Sequence, residues 1–295
     1  MKSEILFNGI GRVKWVFIFC NWYKYQGKGR ALCMSRMTFK KYGNSPSVVL
    51  VHGGPGAAGE MTPVAEELSA KFDILEPWQT ARTIEGQVEE LAKIIKNEAV
   101  CPVILMGFSW GAWLICFVAA QYPDIVKKLV LISSAPFEQS CADVIQQKRF
   151  ERMNAADRQK VRLWTRELQD ITNDHRDEIL LEIGLSYEKA DTFIPLQDVK
   201  NDIEFDANIY RQIWPQATQW RREGRLLDLR EKIQCPVVAL HGDYDPHPAQ
   251  GVFEPLKHLA SFRFIVLSQC GHKPWVEKLV RERFYDILRD IIDEA

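Results

Sequence analysis

Residues 101–121 read CPVILMGFSWGAWLICFVAAQ. The aliphatic run that ends at Gly107 has the continuous character of a parallel-sheet strand covered on both faces. From Ala112 to Gln121 the text is apolar almost all round, which predicts a buried helix. Between them stands Gly107-Phe108-Ser109-Trp110-Gly111, a Gly-x-Ser-x-Gly pattern in the strand–turn–helix setting of a nucleophile elbow. So tight a turn needs glycine at its flanks. It lifts the serine hydroxyl to the carboxyl end of the sheet and brings the Trp110 N–H beside it. Such a triplet arises by chance in about one chain in ten of this length, so its setting carries more weight than the pattern itself.

Working outward, VVLV at Val48–Val51, KFDILEP, KKLVLISS, CPVVALHG and FRFIVLS read as further strands. Thr83 to Lys96 carries a helical stripe of Ile84, Val88, Leu91, Ile94 and Ile95 with Thr83 placed to cap it, and a last helix is expected from Trp275. The alternation predicts a doubly wound α/β chain, a mostly parallel sheet with helices on both faces. From Pro136 to about Arg230 the text turns polar and helical, with no strand-like run, and strands then resume at Cys235. The expected organisation is a core of residues 37–135 and 231–295, a helical cap inserted over 136–230, and an N-terminal extension over 1–36. Trp164, Trp214 and Trp220 in the cap are candidates to line a pocket or, more simply, to pack its helices together.

The 38 basic and 39 acidic residues leave a net charge of −1, with no long run of one sign, which argues against nucleic-acid or anionic-membrane partners. The seven cysteines are odd in number, widely spaced and without a Cys-x-x-Cys pair, which fits reduced thiols and a cytoplasmic setting. The early apolar run Trp15–Cys20 is far shorter than the ~20 residues of a spanning helix.

An activated serine needs a base and an orienting carboxylate, in the chain order Ser, Asp or Glu, His. VVALHGDYDPHP puts Asp243 and Asp245 just past a strand, and Asp245 is preferred because the acid turn needs a few residues to leave it. His272, 27 residues further on, stands between the last strand and the last helix. His241 reads as a buried strand-end histidine, and His247, between two prolines, as a loop or pocket residue. A metal set from His241, Asp243, Asp245 and His247 lacks any supporting helical His pair or Cys pair, so no metal is expected.

The stretch VHGGPGAAGEM after Val48–Leu50 admits two readings. Gly54-x-Gly56-x-x-Gly59, with Glu76 lying 22 residues past Gly54, fits a dinucleotide-binding fingerprint. His52-Gly53-Gly54-Pro55-Gly56 also fits a strand-end turn whose N–H groups hold a developing oxyanion. The second reading explains the glycines together with Ser109, Asp245 and His272, and it makes the Gly54 and Trp110 N–H groups the oxyanion donors. No cofactor is then expected, and His52 would brace the loop.

These motifs resemble the α/β-hydrolase superfamily from about residue 37 to the C-terminus, and the pairing of HGGPG with GFSWG resembles its proline iminopeptidase branch. The resemblance implies Ser109 as nucleophile, Asp245 and His272 as its partners, and Gly54 with Trp110 as the oxyanion hole. Where that branch carries Asp-Gln-Arg-Gly-x-Gly-x-Ser, this chain reads ILEPWQTART, and Phe108 stands where glycine is common. Recognition of a substrate amino terminus would need acidic cap residues, with Glu204 and Asp206 as candidates. The expected activity is hydrolysis of a small ester, amide or short peptide through an acyl-enzyme. A non-catalytic small-molecule-binding protein of the same fold is the alternative.

Overall fold

Val48–Val51 (β2), Val103–Phe108 (β5) and Val237–Gly242 (β8) are buried along their whole length, as their unbroken apolar text requires. They form the centre of a seven-stranded sheet in the computed structural model, which describes residues 38–170, 172, 174–197 and 203–295. The run Trp15–Cys20 and the rest of the extension expected over 1–36 lie outside these residues. Phe39–Tyr42 (β1), Ile74–Pro77 (β4), Val126–Ile132 (β6) and Phe262–Leu267 (β9) complete the sheet, in the order β1-β4-β2-β5-β6-β8-β9. Only β1 runs antiparallel to its neighbour; the other pairings are parallel.

Because side chains alternate across a strand, each strand feeds two cores. Val49, Val51, Leu105, Leu129, Leu131 and Ala239 face one of them, packed by Ile84–Glu98 (α2) and Trp110–Gln121 (α3). Val48, Leu50, Met106, Val130, Ile132 and Leu240 face the other, packed by Thr62–Ser69 (α1) and Arg281–Asp293 (α10). Each fully buried aliphatic side chain here contributes about 1.5–3 kcal/mol. Thr83 caps α2 as expected, its hydroxyl accepting the Gly86 N–H at 3.1 Å.

Between β6 and β8 come Gln139–Asp143 (α4), Ile145–Arg152 (α5), Ala155–Glu167 (α6), Arg176–Asp191 (α7) and Ala207–Arg222 (α8), while Gln250–Leu256 (α9) follows β8. This stretch is not purely helical. Glu204–Phe205 (β7) pairs antiparallel with Ala57–Ala58 (β3), so the helical segment is hydrogen-bonded to the glycine loop. Two residues are too few to show a period of two in sequence. The last helix starts at Arg281 rather than Trp275, because Pro274 opens a short 3-10 turn, Pro274–Val276. Helix α1, which follows the glycine loop, is a further element that periodicity did not reveal.

Candidate active site

Ser109 occupies a left-handed conformation, φ 51° and ψ −112°, between β5 and α3. Such a backbone is strained for a side chain with a Cβ and persists only where its surroundings enforce it. The surroundings do so through two glycines. A Cβ on Gly107 would lie 2.4 Å from the Gly111 carbonyl oxygen, and one on Gly111 would lie 2.4 Å from that of His52. Any larger residue at either place pushes β2, β5 and α3 apart.

The structure brings the three sequence candidates into one chain of hydrogen bonds. His272 Nε2 lies 3.1 Å from Ser109 Oγ, and His272 Nδ1 lies 2.7 Å from Asp245 Oδ2. Asp245 is 3 % exposed. Burial opposes its charge, but His272 and His247 outweigh that and hold its carboxyl well below the usual range. Asp243 turns away to Ser268 Oγ and the Cys270 N–H, at 3.0 and 3.2 Å. The set His241, Asp243, Asp245 and His247 therefore does not converge. Among the described residues the converging group is Asp245, His247 and His272, with ligand atoms within 4.8 Å of one another. His247 is a buried neighbour of the site, and burial, together with His272, pushes its imidazole down to about 4.

Gly54, Trp110 and Ser109 line the same cavity of about 540 Å³. The neighbouring Gly53 N–H is already committed to Glu60 Oε2 at 2.9 Å. Glu60 therefore braces the loop as well, a residue that the sequence did not single out beside His52. The His52 ring is fully buried against the Gly53 and Gly54 backbone, neither nitrogen has a hydrogen-bond partner of normal geometry among the described residues, and burial lowers its proton affinity. Glu76, the residue a dinucleotide fingerprint would turn toward a ribose, is also fully buried, and it accepts from Thr62 Oγ1 at 2.9 Å and Tyr42 OH at 3.2 Å.

Sequence reasoning missed two ion-paired groups in the cavity wall. Lys273 Nζ lies between Glu60 Oε1 at 3.1 Å and Glu188 Oε1 at 2.9 Å. Burial works against its charge, but these carboxylates prevail and raise its proton affinity. Arg149 grips Asp191 from α7 with two nitrogens, Nε at 2.8 Å and Nη2 at 2.5 Å. The only hint in sequence was the position of Lys273 directly after His272. Glu204 and Asp206 do not line the cavity. Asp206 instead caps α8, accepting the N–H groups of Asn208 and Ile209. Trp214 does line it, stacked on Trp113 with planes 4° apart, whereas Trp220 packs on Phe117 and Trp164 on a small core of Met153 and Val161.

The chain is 22 % identical over 255 residues to a pimeloyl-[acyl-carrier protein] methyl ester esterase of Nitrosomonas europaea, a match covering 82 % of this chain and 95 % of that protein. Its fold is similar to that of VinJ, with a TM-score of 0.63 at 18 % identity, covering 87 % and 94 % of the two chains. It is also similar to Est816, described as an N-acyl homoserine lactone degrading enzyme, with a TM-score of 0.57 at 14 % identity over 85 % and 95 %. A family model for the alpha/beta hydrolase fold matches residues 99–279, more than half of the sequence, and the chain belongs to that family.

Proposed function

We propose that the protein is a serine hydrolase acting on a small ester with an apolar acyl group. The observation that carries this reading is the hydrogen-bonded chain Ser109–His272–Asp245 at the wall of the 540 Å³ cavity. His272 takes the Ser109 proton as the oxygen attacks the carbonyl, while Asp245 keeps the imidazole protonated at Nδ1 and oriented. The Gly54 and Trp110 N–H groups receive the oxyanion, the leaving alcohol takes the proton from His272, and water releases the acyl group by the reverse route. The cycle uses only side chains, backbone amides and water. Residues 136–230 act as a cap that supplies the acyl wall, with Leu181, Leu185, Tyr210 and Trp214 facing the cavity.

The acidic groups that face the cavity favour an ester over a peptide with a free amino terminus. Glu60 and Glu188 are bound to Lys273, and Asp191 to Arg149, so a substrate ammonium would have to displace an existing cation. Fluorophosphonate labelling with intact mass and peptide mapping tests the proposal. A single adduct on Ser109, absent from Ser109→Ala, is expected, followed by faster turnover of acyl esters than of prolyl-amide reporters. An adduct on another residue, or none in folded protein, overturns it and brings forward a ligand-binding role without turnover.

A further inference from the structure

Asp245 serves two imidazoles. Its Oδ2 accepts from His272, while its Oδ1 accepts both the backbone N–H and Nδ1 of His247, at 2.9 and 2.7 Å. The two rings lie against each other, centroids 4.2 Å apart and planes at 24°. A third histidine fixes residue 247 from behind: His241 Nε2 donates to the His247 carbonyl at 2.8 Å and stands 3.6 Å from Asp245 Oδ2. The other charged group whose field reaches His247 is Arg149, from the cap side of the cavity.

This arrangement dictates protonation states. A carboxylate held ionised offers no proton, so His247 Nδ1 carries one and donates it, and the ring is neutral with Nε2 as its acceptor. Both oxygens of Asp245 are then engaged by N–H groups on opposite sides, which leaves its side chain one orientation. A carboxylate that already accepts from His247 also pulls less on the second imidazole, because its charge is shared between the two. The stack on His272 further limits rotation of that ring.

We propose that His247 is a positioning residue for the Ser109 chemistry: it locks Asp245 in the orientation that meets His272 and moderates the pull of that carboxylate, so that His272 passes its proton readily to the leaving group. The inference rests on the hydrolase reading only for its effect on rate; the sharing of Asp245 stands independently of turnover. A space-filling role between Pro246 and Pro248 would need a ring at position 247 but no N–H.

Three substitutions separate these roles. His247→Phe keeps a ring to stack on His272 and removes the Nδ1–H. His247→Asn puts an amide N–H where Nδ1–H stands, and His247→Gln puts its amide near Nε2 instead. In nitrogen-15 histidine-labelled protein, His272 and His247 should each give a downfield imidazole N–H proton. In His247→Phe the resonance of His272 should remain and move further downfield. The acid limb of the rate at which fluorophosphonate labels Ser109 should rise by ~0.5 pH unit or more in His247→Phe and return toward wild type in His247→Asn. An unmoved His272 resonance with an unmoved acid limb, in folded His247→Phe or His247→Gln, overturns the proposal, as does rescue by Gln but not by Asn. Failure of the wild-type serine to react would instead remove the hydrolase reading, while the resonances still decide whether Asp245 is shared.

Discussion

Lys273, the residue after His272, is bound at 3.1 Å to Glu60, whose other carboxylate oxygen holds the Gly53 N–H at 2.9 Å. One ion pair thus ties the glycine loop to the segment that carries His272. Lys273→Met would leave Glu60, which is 9 % exposed, without its counter-charge, and breaking a buried pair from one side costs about 3 kcal/mol. Urea unfolding should show that loss, and Glu60→Gln together with Lys273→Met should recover part of it. A midpoint unchanged in Lys273→Met would show the pair to be inert.

Asp245→Asn replaces a charged acceptor with an amide that can bind His272 Nδ1 in the wrong tautomer. Activity on any ester substrate found should fall about 10⁴-fold with the fold retained, the size of the effect in other Ser-His-Asp enzymes. Steady-state kinetics beside a thermal melt would check it, and retention of more than a tenth of the activity would remove Asp245 from the mechanism.

The glycines of the chain are not equivalent. Gly111→Ala should fail to fold or lose several kcal/mol, because its Cβ would meet the backbone oxygens of His52 and Val51 at 2.4 and 2.6 Å. Gly184, inside α7, would place a Cβ in open space. Gly184→Ala should therefore stabilise the protein by about 0.5–1 kcal/mol through helix propensity. Parallel denaturation curves decide both, and a stable Gly111→Ala would contradict the close approach of β2 and α3.

Acidification should weaken the fold before carboxylates titrate. His52 and His247 are both held neutral by burial, so their folded proton affinities lie below that of an unfolded histidine, near 6.5. Below that pH the unfolded chain binds protons that the folded one refuses. The stability present above about 6.5 is therefore lost as pH falls, for His247 down to about 4. At pH 5 the His247 share is on the order of 1–2 kcal/mol. Asp245, held low, adds its own loss only below about pH 4. Urea midpoints between pH 7 and 5 should drop in the wild type and drop less in His247→Phe; equal slopes would refute this origin.

What was legible in the sequence is what the sheet writes locally. Val48–Val51 and Val103–Phe108 announce themselves because strands covered on both faces have no polar alternation; Ser109 and Asp245 each follow such a strand within a few residues, while His272 follows β9, the half-exposed strand at the sheet edge. The chemistry of the cavity wall was not legible. Glu60, Lys273, Arg149 and Asp191 look in sequence like any solvated charge, and their partners lie far along the chain; Arg149 and Asp191 alone are separated by 42 residues. Glu204 and Asp206 looked as eligible as Glu188 because a helical segment of mixed charge gives no sign of which side faces inward. The bond between Asp245 and His247 joins neighbours two residues apart, yet only the fold of the acid turn makes it.

Glu277 is fully buried and accepts three backbone N–H groups, those of Gly271, Phe193 and Ile194, while Asp191 accepts the His272 N–H through its carbonyl oxygen. The exit of α7 and the histidine loop are therefore knitted into one piece. A chimera that exchanges residues 136–230 for the corresponding part of a relative would unpick that knot unless 191–196 and 271–278 travel with it. Evolution faces the same restriction: the cavity wall is free to drift along α5 and the early turns of α7, but the last turn of α7 is moored to the loop of His272.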